Sequence, residues 1–513
     1  MLTFEWIIVI LLVAVLLSTL ANRVGAPYPA LLALGGVVLA FTPGVPRIAL
    51  EPELALALFV APVLLDAAYD TSPRDLKDNW LPVSCLVLVA VGLTTAAVAV
   101  VVHALAGMPW AAAIALGAIV APPDAAAATA VLRHLRLPHR IVTVLEGESL
   151  LNDASALLIY RVAVTAAAVG SYSFADAAPT FFLSVLGSII AGPLLALIVF
   201  RIMTVVHRSG DTSTSIILQF ITTFGVWLLA DRVGLSGILT IVSYAITIAR
   251  WAPASTPARL RVPSYAVWET AVFVLNVLAF VLIGLQIGPI FEDLEPDQRL
   301  RYLAVAGAVV ATVILVRIAW VMSYNAAARW RIRRVGFHPP RPMMAPTVKS
   351  GLVVSWSGMR GIVTLATALA LPGEFPHRNL IVLTAFLVVL GTLTIQGLTL
   401  RPLLLWLDLH DDDPVGREVS RGRQNAYRAA LAALDGDTSR MAQGLRMEFE
   451  AALERGMIDQ PGAESMPHGD GVRARAIVAA RHAVLAMRSS GEIGDAAFHR
   501  LEEEIDYVEL SNA

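Results

Sequence analysis

Charge is what this sequence has least of. Only 15% of its 513 residues are Asp, Glu, Lys or Arg, where an ordinary globular domain carries about a quarter. Such a composition argues against a water-soluble fold. Cysteine is nearly absent too: the single Cys85 rules out an internal disulfide and any multi-cysteine metal site. Its apolar surroundings make it, in expectation, a small core residue. A formal net charge of −2 gives no basic surface of the kind that nucleic acid attracts. The acids that are present are unevenly placed. Half of them, 20 of 40, fall between Asp408 and Glu509. Residues 1–407 are therefore an apolar segment and residues 408–513 an ordinary hydrophilic tail.

A bilayer crossing takes about 20 mostly apolar helical residues. Windows of that kind lie near 3–21, 26–43, 52–70, 80–106, 109–134, 140–170, 174–206, 213–232, 234–250, 265–290, 301–327, 347–372 and 378–407. The first, from Phe4 to about Leu20, has no basic stretch before it and no cleavage site after it, so it reads as a membrane helix and not as a signal peptide. About thirteen transmembrane helices are expected. Loop charges test that count. With the N-terminus outside, the loops after odd-numbered spans hold 17 Lys and Arg residues and the other loops hold 5. This is a strong positive-inside bias, and it places the tail in the cytoplasm. The tail reads as helical over Asn425–Leu434, Thr438–Arg455, Val472–Met487 and Asp495–Leu510, broken by Gly436, Gln460-Pro-Gly462 and Gly491.

A charged side chain at the bilayer centre costs about 2.5–3.5 kcal/mol on insertion scales, so each one needs a partner or a purpose. The acids inside the spans are Asp66, Asp124, Glu146, Glu148, Asp153 and Glu269, and the bases are Arg161, Arg317 and Arg360. The densest group is Glu146-Gly-Glu-Ser-Leu-Leu-Asn-Asp153 in the sixth span. Helical geometry puts Ser149 and Asp153 within about 40° of each other and Glu148 and Asn152 together on a second face. One face then offers a hydroxyl and a carboxylate to an ion, while the other holds a structural pair. Polar residues that only tie helices together are the competing reading, and it is weaker for a cluster than for one acid.

Two spans carry their own breaks. In the fifth, Ala121-Pro-Pro-Asp124 removes two backbone donors in mid-helix. Broken backbone is tolerated inside a membrane where it lines a cavity, and Asp124 stands at that break. In the twelfth, Gly358 and Gly361 flank Arg360. Interrupted spans at matching positions of two halves point to the central site of a transporter. Arg360 is then the expected counter-ion of Glu148, with Arg317 read as a snorkelling residue.

Five segments, in order, carry a family likeness: Leu64-Leu-Asp-Ala-Ala68, Pro122-Pro-Asp124, Glu146 to Asp153, Trp356-Ser-Gly-Met-Arg-Gly361 and Thr392-Leu-Thr-Ile-Gln-Gly-Leu-Thr-Leu400. Together they resemble the sodium/proton exchanger, NhaP-like branch of the monovalent cation:proton antiporters, in its bacterial form. The resemblance implies an all-α membrane fold of two inverted repeats, with the fifth and twelfth spans discontinuous and crossing at mid-membrane. It implies a homodimer in the plasma or inner membrane that exchanges a monovalent cation for protons without a cofactor. Asp153 would bind the cation or a proton, and Asn152 would steady the unwound helices. Asp124, Ser149 and Asp66 would complete the coordination of Na⁺, while Glu148 and Arg360 match the family's ion pair. Two positions depart from the family pattern. Pro123 stands where a threonine is common, so only its carbonyl is available there. Asp66 replaces a glutamate, and its shorter side chain reaches the ion through water.

Carboxylate, hydroxyl and carbonyl oxygens suit a hard cation. Desolvation and a neighbouring acid favour the protonated form of a buried carboxylate, so cation and proton compete for one charge. With Asn at 152 and no lysine nearby, one-for-one electroneutral exchange is expected. Sodium is the first expectation, with lithium and potassium behind it. Three other readings are weighed against this one. An intramembrane aspartyl protease lacks its Gly-x-Gly-Asp element here. A channel needs no proton-competing site. A transporter of another solute, such as an organic anion, is disfavoured by the acids themselves.

Overall fold

The computed structural model describes the chain apart from residues 1, 25, 44–50, 125–126, 129–136, 170–173, 208–210, 293–295, 337–344, 410–412, 456–471 and 511–513. All regular secondary structure among the described residues is helical. In the apolar segment they form α1 (Leu2–Val24), α2 (Tyr28–Ala40), α3 (Pro52–Asp70), the short α4 (Pro73–Asp78), α5 (Trp80–Ala106), α6 (Trp110–Val120), α7 (His139–Val169), α8 (Phe174–His207), α9 (Thr212–Arg232), α10 (Gly237–Ser255), α11 (Ala258–Leu285), α12 (Pro296–Val335), α13 (Val348–Trp356), α14 (Ile362–Leu369) and α15 (Arg378–Leu407). Among the described residues, eight helices are long and apolar enough to cross a membrane, and four more are shorter apolar helices. The chain is thus an all-α, multi-span membrane protein. The expected fifth span, 109–134, is seen as α6 up to its break, and most of its second half lies outside the described residues.

The helices follow from apolar composition, but their packing follows from small residues. Between helices in lipid, close van der Waals approach replaces the hydrophobic drive. α2 and α11 meet where a Cβ on Gly36 would stand 2.9 Å from the Gly284 Cα. Three stretches, Leu56–Val60, Cys85–Ala90 and Leu393–Gly397, widen into π turns within α3, α5 and α15, a local loosening often found at working parts of a helix. Cys85, expected in the core, is only half-buried at the start of one of them.

Two apolar clusters divide the membrane segment. One gathers α6, α15 and parts of α2, α11 and α12 around Leu116, Phe280 and Phe386. The other packs α3 with α8, α9 and α10, and includes Leu150 of α7.

Four helices follow: α16 (Pro414–Ala433), α17 (Arg440–Arg455), α18 (Val472–Ser489) and α19 (Asp495–Leu510). Three match the expected stretches closely. The first begins earlier than expected, because the Asp413 side chain caps it by accepting from the Gly416 N–H. These helices share a core of their own around Phe449, Val484 and Phe498. The bundle they form is tied to the membrane helices by charge. Arg74 in α4 donates to both Glu418 oxygens, at 2.9 and 3.0 Å, and to the Gly491 carbonyl at 3.1 Å. Arg261 in α11 donates through Nε to Asp506 at 2.6 Å and pairs with Glu502 at 3.2 Å, all three being buried.

Candidate cation-binding site

Local chemistry explains why α6 stops at Val120. Pro122 and Pro123 have no N–H to give to the carbonyls of Ala118 and Ile119, so the helical ladder cannot continue. The next donor, the Asp124 N–H, turns away and bonds the Met359 carbonyl at 2.7 Å. That bond joins the break after α6 to the break between α13 and α14, where Ser357 to Gly361 run without helical structure. The two interrupted segments therefore touch at their unwound points.

Arg360 closes the gap from the other side. Its Nε donates to the Val120 carbonyl at 3.0 Å and its Nη2 to the Ala121 carbonyl at 3.1 Å, and the residue is buried. A cation placed on the last carbonyls of a half-helix satisfies orphan acceptors and the negative end of the helix dipole together. Thr392 of α15 holds the Arg360 backbone in turn, its Oγ1 accepting from the Arg360 N–H at 3.0 Å.

Here the structure corrects the sequence reading of one ion pair. Glu148 is held by Arg317 of α12, through Nη1 to Oε1 at 2.6 Å and Nη2 to Oε2 at 2.8 Å. Arg360 is not its direct partner, because its guanidinium is spent on the Val120 and Ala121 carbonyls, left open where α6 ends. Nor does Arg317 snorkel. It is 3% exposed, and its Nε and Nη2 also donate to the Val354 carbonyl, at 3.2 and 3.0 Å. The room for it comes from Gly358, where any Cβ would run into the Arg317 side chain. Glu148, Arg317 and Arg360 nevertheless line one small polar pocket with Pro123. Sequence reasoning missed the role of Arg317. An unaccompanied arginine amid apolar residues in a long span is the signal that was there to use.

Asn152 sits where helix geometry puts it, on the Glu148 face of α7. It is fully buried, and its Nδ2 donates to the Pro123 carbonyl at 2.9 Å. The side chain thus pins α7 to the break after α6. The next residue, Asp153, is 8% exposed, and its charge interacts with that of Asp124. Ser149 and Asp124 are half-buried. A Cβ on Gly361 would collide with the Asp124 carboxylate, so the glycine lets that acid lie against the second break. Asp66 is half-buried on α3, whose Leu64 and Ala68 share an apolar cluster with Leu150 of α7. The expected residues therefore gather on α7 and at the two breaks, with α3 alongside.

Residues 8–406 match the transmembrane family of sodium/hydrogen exchangers. The chain belongs to that family. A sodium, potassium, lithium and rubidium/proton antiporter of Bacillus subtilis is 29% identical over 98% of this chain and 77% of its own length. An uncharacterised sodium/proton exchanger of Mycobacterium tuberculosis is 32% identical, over 98% of this chain and 95% of its own. Among solved structures, the sodium proton antiporter MjNhaP1 of Methanocaldococcus jannaschii shares the fold, with TM-scores of 0.57 and 0.62 at 19% and 17% identity. The match covers 79% of this chain and 99% and 97% of those chains. The exchanger family and the bond between the two helix breaks point the same way.

Proposed function

We propose that Asp153 and Asp124 form one exchange site, at which a monovalent cation and a proton compete. The protein itself is a secondary active monovalent cation/proton antiporter of the cell membrane, and not an enzyme. The observation that carries the site assignment is the junction itself. The Asp124 N–H bonds Met359, Asn152 bonds Pro123, and Asp153 follows Asn152 in the same turn. Two acids thereby stand beside backbone whose polar groups are not consumed by a helix.

In this reading Asp153 and Asp124 supply carboxylate oxygens, Ser149 a hydroxyl, and Asp66 a contact through water. The Pro123 carbonyl already accepts from Asn152, but a carbonyl oxygen has a second lone pair to offer a cation. Asn152, Glu148, Arg317 and Arg360 hold the frame. Protonation empties the site and cation entry discharges the proton, so only a loaded carrier reorients. Sodium is the proposed cargo, with lithium and potassium as alternatives supported by the Bacillus relative's range of cations. With a neutral Asn152 beside Asp153, the exchange is proposed to be electroneutral. We further place thirteen spans in residues 1–407, with the bundle of residues 408–513 in the cytoplasm as the loop arginines dictate, and a homodimer as the assembly. The exposed apolar side chains of Leu12, Leu16, Leu186 and Ile190 on α1 and α8 suit lipid or a second copy.

Proteoliposomes under an imposed pH gradient test this directly. Na⁺, Li⁺ and K⁺, added in turn, should dissipate the gradient without a transport-driven current. Asp153→Asn should abolish the exchange while the protein still purifies as a folded species. Full activity in that variant would overturn the site.

A further inference from the structure

One cavity lies outside the exchange site. It has a volume of about 90 Å³ and is walled by α5, α7, α12 and the start of α13. Leu86, Val144, Val321 and Val354 make its deep side, each of the latter three one turn from, or bonded to, the Glu148–Arg317 pair. Its other side is polar in a particular way. Among the described residues its lining holds one arginine, Arg140, and no acid. The Arg140 Nε donates to the Asn79 Oδ1 at 3.2 Å, which fixes the guanidinium at the rim. Asn325 is committed to structure, with Nδ2 donating to the Thr347 carbonyl at 2.8 Å and Oδ1 accepting from Arg329 at 3.0 Å. The Trp320 Nε1–H is buried in the same wall and meets no acceptor among the described residues. A buried indole donor normally has one.

The depth of the cavity narrows its occupant. Arg140 is the second residue of α7, and Thr347 caps the start of α13. The rim therefore lies at the end of the membrane helices where Arg329, Arg331, Arg333 and Arg334 also stand. Tyr324 and Trp320 share the wall, as aromatic residues do at headgroup depth. A soluble anion would not choose so apolar a lining, and a neutral chain would not use the arginine or the indole donor. Basic clusters at a membrane edge attract anionic lipids.

We propose that this cavity takes the upper methylenes of one acyl chain of an anionic phospholipid, with its phosphate at Arg140 and an ester or phosphate oxygen accepting from Trp320. The lipid comes from the leaflet at the arginine-rich end, which is the cytoplasmic one on the orientation proposed above. Its bound chain braces the ends of α5, α7, α12 and α13, the helices that frame the Glu148–Arg317 pair.

The single cysteine provides the test, because Cys85 lines this cavity. The full chain in phosphatidylcholine nanodiscs, with and without phosphatidylglycerol, is labelled with a maleimide. Labelling should slow several-fold when phosphatidylglycerol is present, and Arg140→Gln should remove that slowing while keeping the rate in phosphatidylcholine. Equal rates in both lipids would overturn the proposal, as would the same slowing with neutral phosphatidylethanolamine. Should Arg140→Gln not fold, Ala345→Trp adds bulk from another residue of the lining. It should then make labelling slow in both lipids, and a persisting phosphatidylglycerol effect would count against the site. The readout is a labelling rate and not transport, so its failure leaves the exchange site untouched.

Discussion

Arg317 grips Glu148 with both terminal nitrogens in a pocket where neither side chain meets solvent. Planar, two-pronged recognition of this kind is what guanidinium does and ammonium does not. Removing one member leaves the other as an uncompensated buried charge, at a cost of about 3–5 kcal/mol. Arg317→Ala should therefore destabilise the protein severely, and Arg317→Lys should only partly restore it. Arg360→Ala should cost less, about 1–3 kcal/mol, since it uncovers backbone carbonyls and no charge. Thermal unfolding in detergent distinguishes them. A double-mutant cycle should give a larger coupling for Glu148 with Arg317 than for Glu148 with Arg360, and the reverse order would refute the pairing seen here.

Gly361 makes a separate prediction. It faces the Asp124 carboxylate so closely that a methyl group cannot be added without moving one of them. Gly361→Ala should cost about 1–3 kcal/mol through overpacking. Its main effect should fall on exchange, because the group displaced is the proposed ligand Asp124. Apparent cation affinity in proteoliposomes should weaken more than folding does. Unchanged affinity with unchanged stability would mean that Asp124 can move freely.

Much of this site was legible in the sequence, and the reason is physical. Acids and prolines inside apolar helices are expensive, so each one marks a position. Asp124 beside Pro122 and Pro123, and the spacing of Ser149, Asn152 and Asp153, singled out these residues as candidates without coordinates. The partner of Glu148 was not legible. Helix periodicity places residues on faces of their own helix, but which of two arginines reaches across depends on tertiary placement. Only the structure shows that Arg360 is already engaged by Val120 and Ala121. The docking of the C-terminal bundle was hidden for the same reason. Arg261 and Asp506 lie 245 residues apart, and no local pattern links them.

Asn152 tests how far the frame depends on one amide. Its Nδ2 bond to the Pro123 carbonyl is the direct tie from α7 to the break after α6. Asn152→Ala removes one buried hydrogen bond and should cost about 1–2 kcal/mol. Asn152→Asp has nearly the same shape but cannot donate when ionised, so it should lose the tie and add a negative charge next to Asp153. Under electroneutral exchange by the native protein, this second variant is the one in which a transport-driven current should appear. Current recordings on solid-supported membranes decide it.

Asp75 ties α4, the helix whose Arg74 holds the bundle, to the start of α7 in a pH-dependent way. It sits in α4, beside Arg74 and 3.0 Å from the His139 Nε2 at the start of α7. Burial works to raise its pKa, but His139, Arg74 and Ser72 more than offset this, and the carboxyl ends below its ordinary value. A lowered folded-state pKa stabilises the fold fully above the unfolded value and loses that stabilisation as pH falls through the folded one. Asp75→Asn should therefore lower the melting temperature at pH 6, and by less at pH 8 to the extent that His139 loses its charge. The gap to wild type should close only below about pH 4, the ordinary carboxylate range. A gap that persists well below about pH 4 would show that Asp75 is not the group responsible.

Arg261 and Asp506 carry the last prediction. Asp506 is fully buried between Arg261 and Arg481, with Glu502 and the Tyr265 hydroxyl beside it. A buried ion cluster of this size is poor evidence of net stability, since desolvation consumes most of the Coulomb gain, but breaking it from one side is costly. Arg261→Ala should therefore release α19 from α11 without unfolding the bundle, whose apolar core lies elsewhere. Limited proteolysis should cut the junction near Asp408 to Asp413 faster in Arg261→Ala than in the native chain. Arg261→Ala combined with Asp506→Leu and Glu502→Leu should recover much of the protection, because no acid is then left buried and the partly exposed Arg481 can turn to solvent. Equal cutting rates in the native chain and Arg261→Ala would mean that the bundle is held without the Arg261 cluster.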